Sequence, residues 1–498
     1  MEFIFNISEK INPLQSIVVM AAAILISSFF GLSKKRSVKR FIIAVAAVSL
    51  LSAFYINIHI FIYLGSLSND LLAFGTLQVI EAGIIIFSAL NILFFVSVYE
   101  VNRDHFIKIL ILLLFSAICA VFTVIADNFI LMFTGMTIFV LTAFQLVTGL
   151  NSDISASGNY SVRFFLRPVL TLILLFFGFS LFYGAAGLEG FSQILESESV
   201  SNPLVMIGLV VFGAAVYIYF FLFPFQNPYM GLLKRSNASS NAVIWFLYFP
   251  VGFFVFFKFS ELFSFFIEKG SLYVSIILIA LTFICMLAGN LGASKTASVR
   301  RIISFLFLYF IGIFLLNISM FSAGIISSLS MRWLNIANVF LLTFSFIPVY
   351  VIFSRIEKLT GSDSISAIRG LGRSNVYLSI NLIIIFLSWS VTALYVLPFR
   401  KYFTGGVDIS AMGAIGMTLL ALISVTFIFL MVNIFRVVTK FFKRPSKGTA
   451  EKIIFPKFYY VYITFFTLAI LIVVVKCLME ISGIDIGIMD FNITGFVF

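Results

Sequence analysis

The chain of 498 residues is 62% hydrophobic and only 10% charged, with a mean hydropathy of +1.16. Such a composition lies far outside the range of soluble proteins and predicts an all-α polytopic membrane protein without a sizeable soluble domain. The net charge of +12 does not indicate nucleic-acid binding, because 25 of the 32 Lys and Arg residues fall in loops on one side of the predicted helices.

About fourteen transmembrane helices are predicted, each of roughly 20 residues. They cover residues 14–32, 40–65, 74–98, 106–125, 128–150, 163–184, 204–225, 240–267, 272–289, 299–318, 333–354, 376–398, 411–435 and 457–479. The first is expected to stay as an anchor, because its charged flank and following residues do not resemble a cleaved signal. The positive-inside rule places the basic loops in the cytoplasm of a bacterial inner-membrane protein and both termini outside.

Two acidic residues lie in or beside the early predicted helices. Glu81 lies well inside the third span, and Asp127 lies just before the fifth. An ionisable side chain at membrane depth is a candidate for an ion path by default. For Glu81, a hydrogen-bonded carboxyl packed on a neighbouring helix is an equally good interpretation.

Residues that could bind a metal or a cofactor are scarce. His59 and His105 are far apart in the sequence, and Cys119, Cys285 and Cys477 all lie in apolar runs. We therefore predict no metal site, no cofactor-binding site and no disulfide framework in this chain. No catalytic residues are predicted either, because the sequence has no Ser-His-Asp set and no nucleotide-binding glycine loop in a strand–helix setting.

Two of the predicted helices are interrupted by proline. Pro224 and Pro228 follow the apolar run of the seventh span, and Pro398 interrupts the twelfth just before Arg400 and Lys401. Proline lacks a backbone N–H, so the unwound backbone at membrane depth must face protein or water. Paired broken helices in two halves of a polytopic chain point to an ion or substrate path.

Four ordered blocks resemble a known family. They are SVRFFLRPVLTLILLFFGFSLFYGAAGLEGF (161–191), GNLGASKTASVRRIISFLFLYFIG (289–312), IRGLGRSNVYLSINLIIIFLSWSVTALYVLPFRK (368–401) and the Pro-Phe of the first break. In the first, Arg163, Gly178, Tyr183 and Gly187 have the family's spacing; the second reads as a Gly-Asn turn before the basic pair Arg300 and Arg301. The blocks resemble the antiporter-like membrane subunits of respiratory NADH-quinone oxidoreductase (complex I), subunit N most closely.

The resemblance implies inverted five-helix repeats, helices four to eight and nine to thirteen, each with one broken helix. We therefore divide the chain into a three-helix segment (1–105), a first repeat (106–268), a second repeat (269–436) and a C-terminal loop, helix and tail (437–498). Family members are thought to move protons along a chain of Glu and Lys side chains near the midplane. Buried lysines suit this work, because desolvation lowers their pKa and a nearby carboxylate raises it.

Most positions of that proton path carry other residues here. The resemblance places the family's helix-five Glu on Thr137, its helix-seven Lys on Tyr219, the following His on Gln226 and the helix-ten His on Tyr309. Its helix-eight Lys falls near 249–250, where the side chains cannot titrate. Of these positions, only the helix-twelve Lys is retained, at Lys401, so the sequence predicts a degenerate proton pathway.

The remaining charged residues allow structural interpretations. Arg400 and Lys401 lie at the predicted outer edge of their helix, where snorkelling to the lipid head groups explains them as well as proton exchange does. Lys258 and Glu261, one turn apart, are predicted to form a structural ion pair. The basic residues at cytoplasmic helix ends follow from topology and lipid contact; they are Arg163, Arg300 and Arg301.

The sequence thus favours a membrane-arm subunit of an NADH-quinone-oxidoreductase-like complex, with a mainly structural or conformational role. An active H⁺ or Na⁺ translocating subunit that uses Lys401, Asp127 or Glu81 is the first alternative, and a free-standing lipid-linked-sugar flippase is a lesser one. Other membrane-arm subunits and membrane lipids are the expected partners, and no nucleic acid is. NADH, FMN, iron–sulfur clusters and quinone are expected only in partner subunits.

Overall fold

A computed structural model describes residues 14–30, 36–63, 67–69, 72–99, 105–151, 154–186, 203–268, 272–322, 328–370, 372, 375–395, 413–443, 460–461 and 463–471. The chain separates into two compact units, Met1–Gly270 and Ser271–Phe498. The division at 270 lies next to the predicted boundary between the two repeats, whose own limits stay a prediction.

Helices make up nearly all of the described part of the first unit. They are α1 (Leu14–Phe30), α2 (Arg36–Tyr63), α3 (Thr76–Tyr99), α4 (Phe106–Ile125), α5 (Phe129–Leu150), α6 (Ile154–Ala186), α7 (Pro203–Tyr219), α8 (Asn227–Arg235), α9 (Ala238–Val243) and α10 (Phe249–Glu268). A π-helical turn, Ile244–Tyr248, joins α9 to α10 without a break. One short antiparallel hairpin, β1 (Leu67–Asn69) with β2 (Leu72–Phe74), precedes α3.

The described part of the second unit is also helical. Its helices are α11 (Leu272–Lys295), α12 (Val299–Ser322), α13 (Ser328–Thr360), α14 (Val376–Tyr395) and α15 (Gly413–Phe442). Residues 463–471 are also helical. Tyr460, which precedes this stretch, contacts the start of α14, because its hydroxyl accepts a hydrogen bond from Asn375 Nδ2 at 3.0 Å.

The polytopic all-helical fold is confirmed. Ten helices in the described residues are long and apolar enough to cross a membrane, and three shorter apolar helices accompany them. Large apolar side chains such as Leu25 (72% exposed) and Phe29 (80%) point outward from α1, as expected for surface that faces lipid. The total of fourteen spans stays a prediction, because most of 457–479 lies outside the described residues.

Several helices extend beyond their predicted ends, and one predicted turn is wrong. The pair Gly289 and Asn290 lies inside α11, which continues to Lys295. A Cβ on Gly289 would lie 2.8 Å from both the carbonyl oxygen of Phe305 and the backbone nitrogen of Tyr309 on α12. The glycine therefore allows two helices to approach closely, as small residues do in membrane proteins, and it does not form a turn.

Within each unit, certain helices are enclosed by the others. Every residue in the most apolar window of 239–258, which runs through α9, the π-helical turn and α10, is buried. In the second unit, 94% of the corresponding window of α12 is buried. Any functional polar group on these helices is therefore held in a low-dielectric protein interior, where an unpaired polar group is costly.

Candidate functional site

The first broken helix has an ordered, irregular backbone. Helix α7 ends at Tyr219 and α8 begins at Asn227. Between them the Phe223–Pro224 peptide bond is cis, and Phe221 has φ +52°, an uncommon value for a residue with a side chain. The Tyr217 hydroxyl donates to the carbonyl oxygen of Phe223 at 2.6 Å. The structure thus places Pro224 inside the interruption and satisfies a backbone group that the break would leave unpaired.

The end of α7 is bound to the π-helical turn. The Tyr219 hydroxyl donates to the backbone carbonyl oxygen of Tyr248 at 2.8 Å. The two phenol rings stack with centroids 4.3 Å apart and planes 7° from parallel. Because π-helical hydrogen bonding shifts the ladder from i+4 to i+5, seen here as Phe249 N–H to Ile244 oxygen, carbonyls near such a turn can accept other donors.

Further aromatic rings surround this contact, and we call the set the aromatic cluster: Phe164, Tyr219, Phe221, Tyr229, Trp245, Tyr248 and Phe249. All are buried. Phe164 stacks on Phe221 at 4.8 Å, and Trp245 Nε1 donates to the Tyr229 hydroxyl at 2.6 Å. The cluster fills the space beside the helix break with side chains that carry no formal charge.

The aromatic cluster leaves no room for an added side chain. A Cβ on Gly252, one turn beyond the π-helical turn, would lie 2.1 Å from Cε1 of Tyr219. Real Cβ atoms do not approach a ring so closely, so glycine is needed where α10 crosses the Tyr219 ring. Dense packing of this kind is typical of a protein core and leaves little volume for a chain of water molecules.

The predicted polar candidates of the first unit are spread over several helices. Glu81 is only 5% exposed within α3, and Asp127 lies half-buried between α4 and α5. The Thr137 hydroxyl donates to Phe133 of its own helix at 2.7 Å. Gln226 ends the interruption, and its Oε1 is buried without a hydrogen-bond partner among the described residues.

Two basic candidates of the first unit lie in different environments. Lys258 on α10 is half-buried, and its Nζ donates to the carbonyl oxygen of Ala126, the residue before Asp127. A cation beside the last carbonyls of α4 is a favourable helix-end arrangement. The side chain of Glu261 lies outside the described residues, so its pairing with Lys258 stays a prediction. Arg163 is exposed on α6.

In the second unit, the predicted candidates lie in the first turn of α12 and near the middle of the same helix. Arg300 Nε binds Glu357 Oε2 of α13 at 2.6 Å, and Arg301 is half-buried beside it in sequence. Tyr309, fully buried, packs where Gly289 of α11 lets the helices touch. Three other candidates, Pro398, Arg400 and Lys401, lie outside the described residues.

In the first unit, Pro228 occupies the first turn of α8, where proline is well tolerated.

A polar contact that the sequence did not indicate joins α11 to α15. Asn290 Nδ2 donates to the Thr426 carbonyl oxygen at 2.9 Å, and Asn433 Nδ2 donates to the Asn290 carbonyl oxygen at 3.0 Å. Arg436 donates to three carbonyl oxygens at the end of α11, those of Ala293, Ser294 and Thr296. The guanidinium therefore satisfies carbonyls that the helix end leaves without a partner.

Replacing Arg436 with lysine is expected to lower stability by about 2 kcal/mol, because a single ammonium cannot reproduce the fork of charge-assisted hydrogen bonds. The thermal midpoint of the purified protein in detergent measures the change. Lys440→Ala, on the same helix one turn further along, is the matched control and should shift the midpoint little. An unchanged midpoint in Arg436→Lys would show that the three hydrogen bonds contribute nothing.

The described residues offer little for metal or covalent chemistry. No group of three or more His, Cys, Asp or Glu is arranged there to hold a metal ion. Cys119 and Cys285 are buried thiols without a disulfide. The arrangement around the first break can hold hydrogen bonds and transmit movement between packed helices. Its polar atoms are hydroxyl, amide, indole and carbonyl groups, and the Arg167 guanidinium lies 5.1 Å from the centroid of the Phe225 ring in the interruption.

Comparisons with known proteins agree with the sequence-based resemblance. No family model matches the chain. NADH-quinone oxidoreductase subunit N 2 of Acidobacterium capsulatum is 25% identical over 333 residues, which are 64% of this chain and 65% of that protein. Subunit N of Cytophaga hutchinsonii is 24% identical over 287 residues, 56% of this chain and 58% of the relative. The expected resemblance to subunit N is confirmed, and the matches span less than two thirds of each relative's length.

Solved structures share the fold over nearly the whole chain. A chain of respiratory complex I from Thermus thermophilus superposes with a TM-score of 0.73 and 15% identity, covering 93% of this chain and 98% of that one. A chain of the Mrp complex from Dietzia sp. gives a TM-score of 0.76 and 15% identity, with 95% and 96% covered. At this identity the likeness establishes the fold alone.

Proposed function

We propose that this chain, a homologue of subunit N, is a membrane-arm subunit of an NADH-quinone-oxidoreductase-like complex with a mainly structural and conformational role. The fold and the named relatives support the assembly part of the proposal. In this proposal the proton pathway of the first unit is lost, and its packed helices hold neighbouring subunits and relay their movement.

The contact between Tyr219 and Tyr248 is the observation that carries the structural role. Where the resemblance implies a lysine, a phenol hydroxyl is bound to a backbone carbonyl and enclosed by stacked rings. A proton relay needs a group that changes its protonation or its partners during turnover. A neutral hydroxyl held in a buried aromatic cluster is instead suited to holding α7 and the π-helical turn before α10 together.

The partners and the cofactors follow from this assembly. NADH, FMN, iron–sulfur clusters and quinone would bind in other subunits, and lipid head groups would meet the basic loops. The chain would lie in a bacterial inner membrane with its basic loops in the cytoplasm and both termini outside.

An active H⁺ or Na⁺ translocating subunit is the second candidate. The burial of Glu81 favours it, because a carboxyl that is 5% exposed within α3 is a costly feature for an inert scaffold. Ion flux in proteoliposomes separates the two candidates. Flux that disappears in Glu81→Gln while the protein remains folded would favour translocation.

Affinity purification of the tagged chain in mild detergent, followed by mass spectrometry, tests the assembly. Recovery of other antiporter-like subunits together with iron–sulfur proteins would support the proposal. Recovery of the chain alone as a monodisperse protein would overturn it and favour a free-standing transporter.

Lys401→Ala is expected to leave proton pumping by the purified assembly within about twofold of wild type, because a lysine at the outer helix edge can be satisfied by lipid head groups. Pumping is measured per electron transferred in proteoliposomes. Lys440→Ala, a lysine at the predicted cytoplasmic end of α15, is the control. A large and specific loss in Lys401→Ala, with all subunits still assembled, would contradict the structural role.

A further inference from the structure

Three asparagines at the shared end of α12 and α13 have buried polar atoms without partners. Asn317, Asn335 and Asn338 are each 0% exposed. Asn317 Oδ1, Asn335 Nδ2 and Asn338 Oδ1 have no hydrogen-bond partner among the described residues. In a protein interior each such atom is destabilising unless something binds it, so three in one cluster indicate an additional ligand.

Two of the side chains are in direct contact, and the third shares a helix face with one of them. Asn317 Nδ2 donates to Asn335 Oδ1 at 2.7 Å, across the two helices. Asn335 and Asn338 are three residues apart on α13 and therefore share one helix face. Asn338 reaches back to α12, where its Nδ2 lies 3.5 Å from the carbonyl oxygen of Phe310.

The chemistry of the pair identifies the kind of ligand. Two carboxamides joined by one hydrogen bond always leave one free acceptor and one free donor, whichever way the two amides are turned. A metal cation would bind the acceptor and be repelled by the donor, and an anion would behave in the opposite way. Water both donates and accepts, and it typically makes about three hydrogen bonds when buried.

We propose that the Asn317, Asn335 and Asn338 cluster is a buried water-binding site. Arg332, half-buried one turn before Asn335 on the same face of α13, extends the polar face towards the end of the helix. The site belongs to the second unit and is independent of the proposed function, since it requires only that the second unit be folded.

Radiolytic hydroxyl labelling with mass spectrometry tests the proposal on the full chain with its copurifying partners. Bound water generates hydroxyl radicals in place, so buried methionines beside it become oxidised. Met320, three residues after Asn317, and Met331, four before Asn335, are both 0% exposed, and Met286 at 2% exposure in the same unit is the internal control. We expect at least fivefold more oxidation at Met320 and Met331 than at Met286.

A variant and an ion titration complete the test. Combining Asn317→Leu, Asn335→Leu and Asn338→Leu removes every unpaired atom and should reduce oxidation at Met320 and Met331 to the level of Met286. If this variant does not fold, the comparison of methionines in the wild-type protein still decides. Equal oxidation at all three methionines would overturn the proposal, and so would a thermal midpoint that rises with Na⁺ but not with K⁺, which would indicate a cation site.

Discussion

Gly289→Ala is expected to destabilise the second unit by about 3 kcal/mol, the upper part of the range for overpacking a well-packed interior. The new Cβ would lie 2.8 Å from two backbone atoms of α12, and a backbone cannot rotate away as a side chain can. Helices α11 and α12 would have to separate, and the packing of Tyr309 would change with them. The thermal midpoint of the purified protein and the fraction that remains monodisperse measure the effect.

Gly184→Ala is the matched control for this substitution. Gly184 is also helical, in α6, but a Cβ there would meet nothing within 4 Å. Alanine has the higher helix propensity by about 1 kcal/mol in soluble proteins, so Gly184→Ala should be neutral or slightly stabilising. Equal effects of the two substitutions would mean that helix propensity, and not the close approach of α11 and α12, controls the result.

Two glycines, Gly289 and Gly178, show which features of the helix packing can be predicted from the sequence. Hydropathy located the membrane helices, because a long apolar run has few alternatives to a transmembrane helix. The family-like spacing selected Gly289 and Gly178, and both lie where helices approach closely, since a Cβ on Gly178 would be 3.2 Å from the carbonyl oxygen of Gly208. The interpretation of Gly289 and Asn290 as a turn was wrong, because local sequence does not show which helix packs against a glycine.

The candidate site was predictable only in part. Pro224 marked the interruption, because the missing N–H of proline has a direct consequence for the helix ladder. The bond from Tyr219 to the Tyr248 carbonyl was not predictable, since it depends on a π-helical turn and joins residues 29 positions apart. Arg436 is one of the 25 basic residues whose common side predicts the topology, and its guanidinium also binds the end of α11. Charge counting along a sequence cannot separate these two roles.

Tyr219→Ala is expected to destabilise the first unit by about 3–5 kcal/mol, the range for removing a large buried aromatic side chain. It leaves a cavity against Gly252, removes the stacking on Tyr248 and deprives a buried carbonyl of its donor. Tyr219→Phe keeps the ring and removes only the hydroxyl. This variant should therefore destabilise the first unit by only about 1–2 kcal/mol. Thermal midpoints of the two variants separate packing from hydrogen bonding.

Tyr183→Phe provides the control, because Tyr183 is 49% exposed on α6 and its hydroxyl is not needed to satisfy a buried carbonyl. It should leave the free energy of unfolding within about 0.5 kcal/mol of wild type, as surface substitutions usually do.

A measurement of proton translocation by the assembled complex distinguishes a structural role of Tyr219 from a role in transport. In the proposed structural role, Tyr219→Phe lowers stability and leaves translocation per electron unchanged. Lost translocation at unchanged stability would instead make the Tyr219 hydroxyl part of a working proton path, and the chain would then be an active translocating subunit.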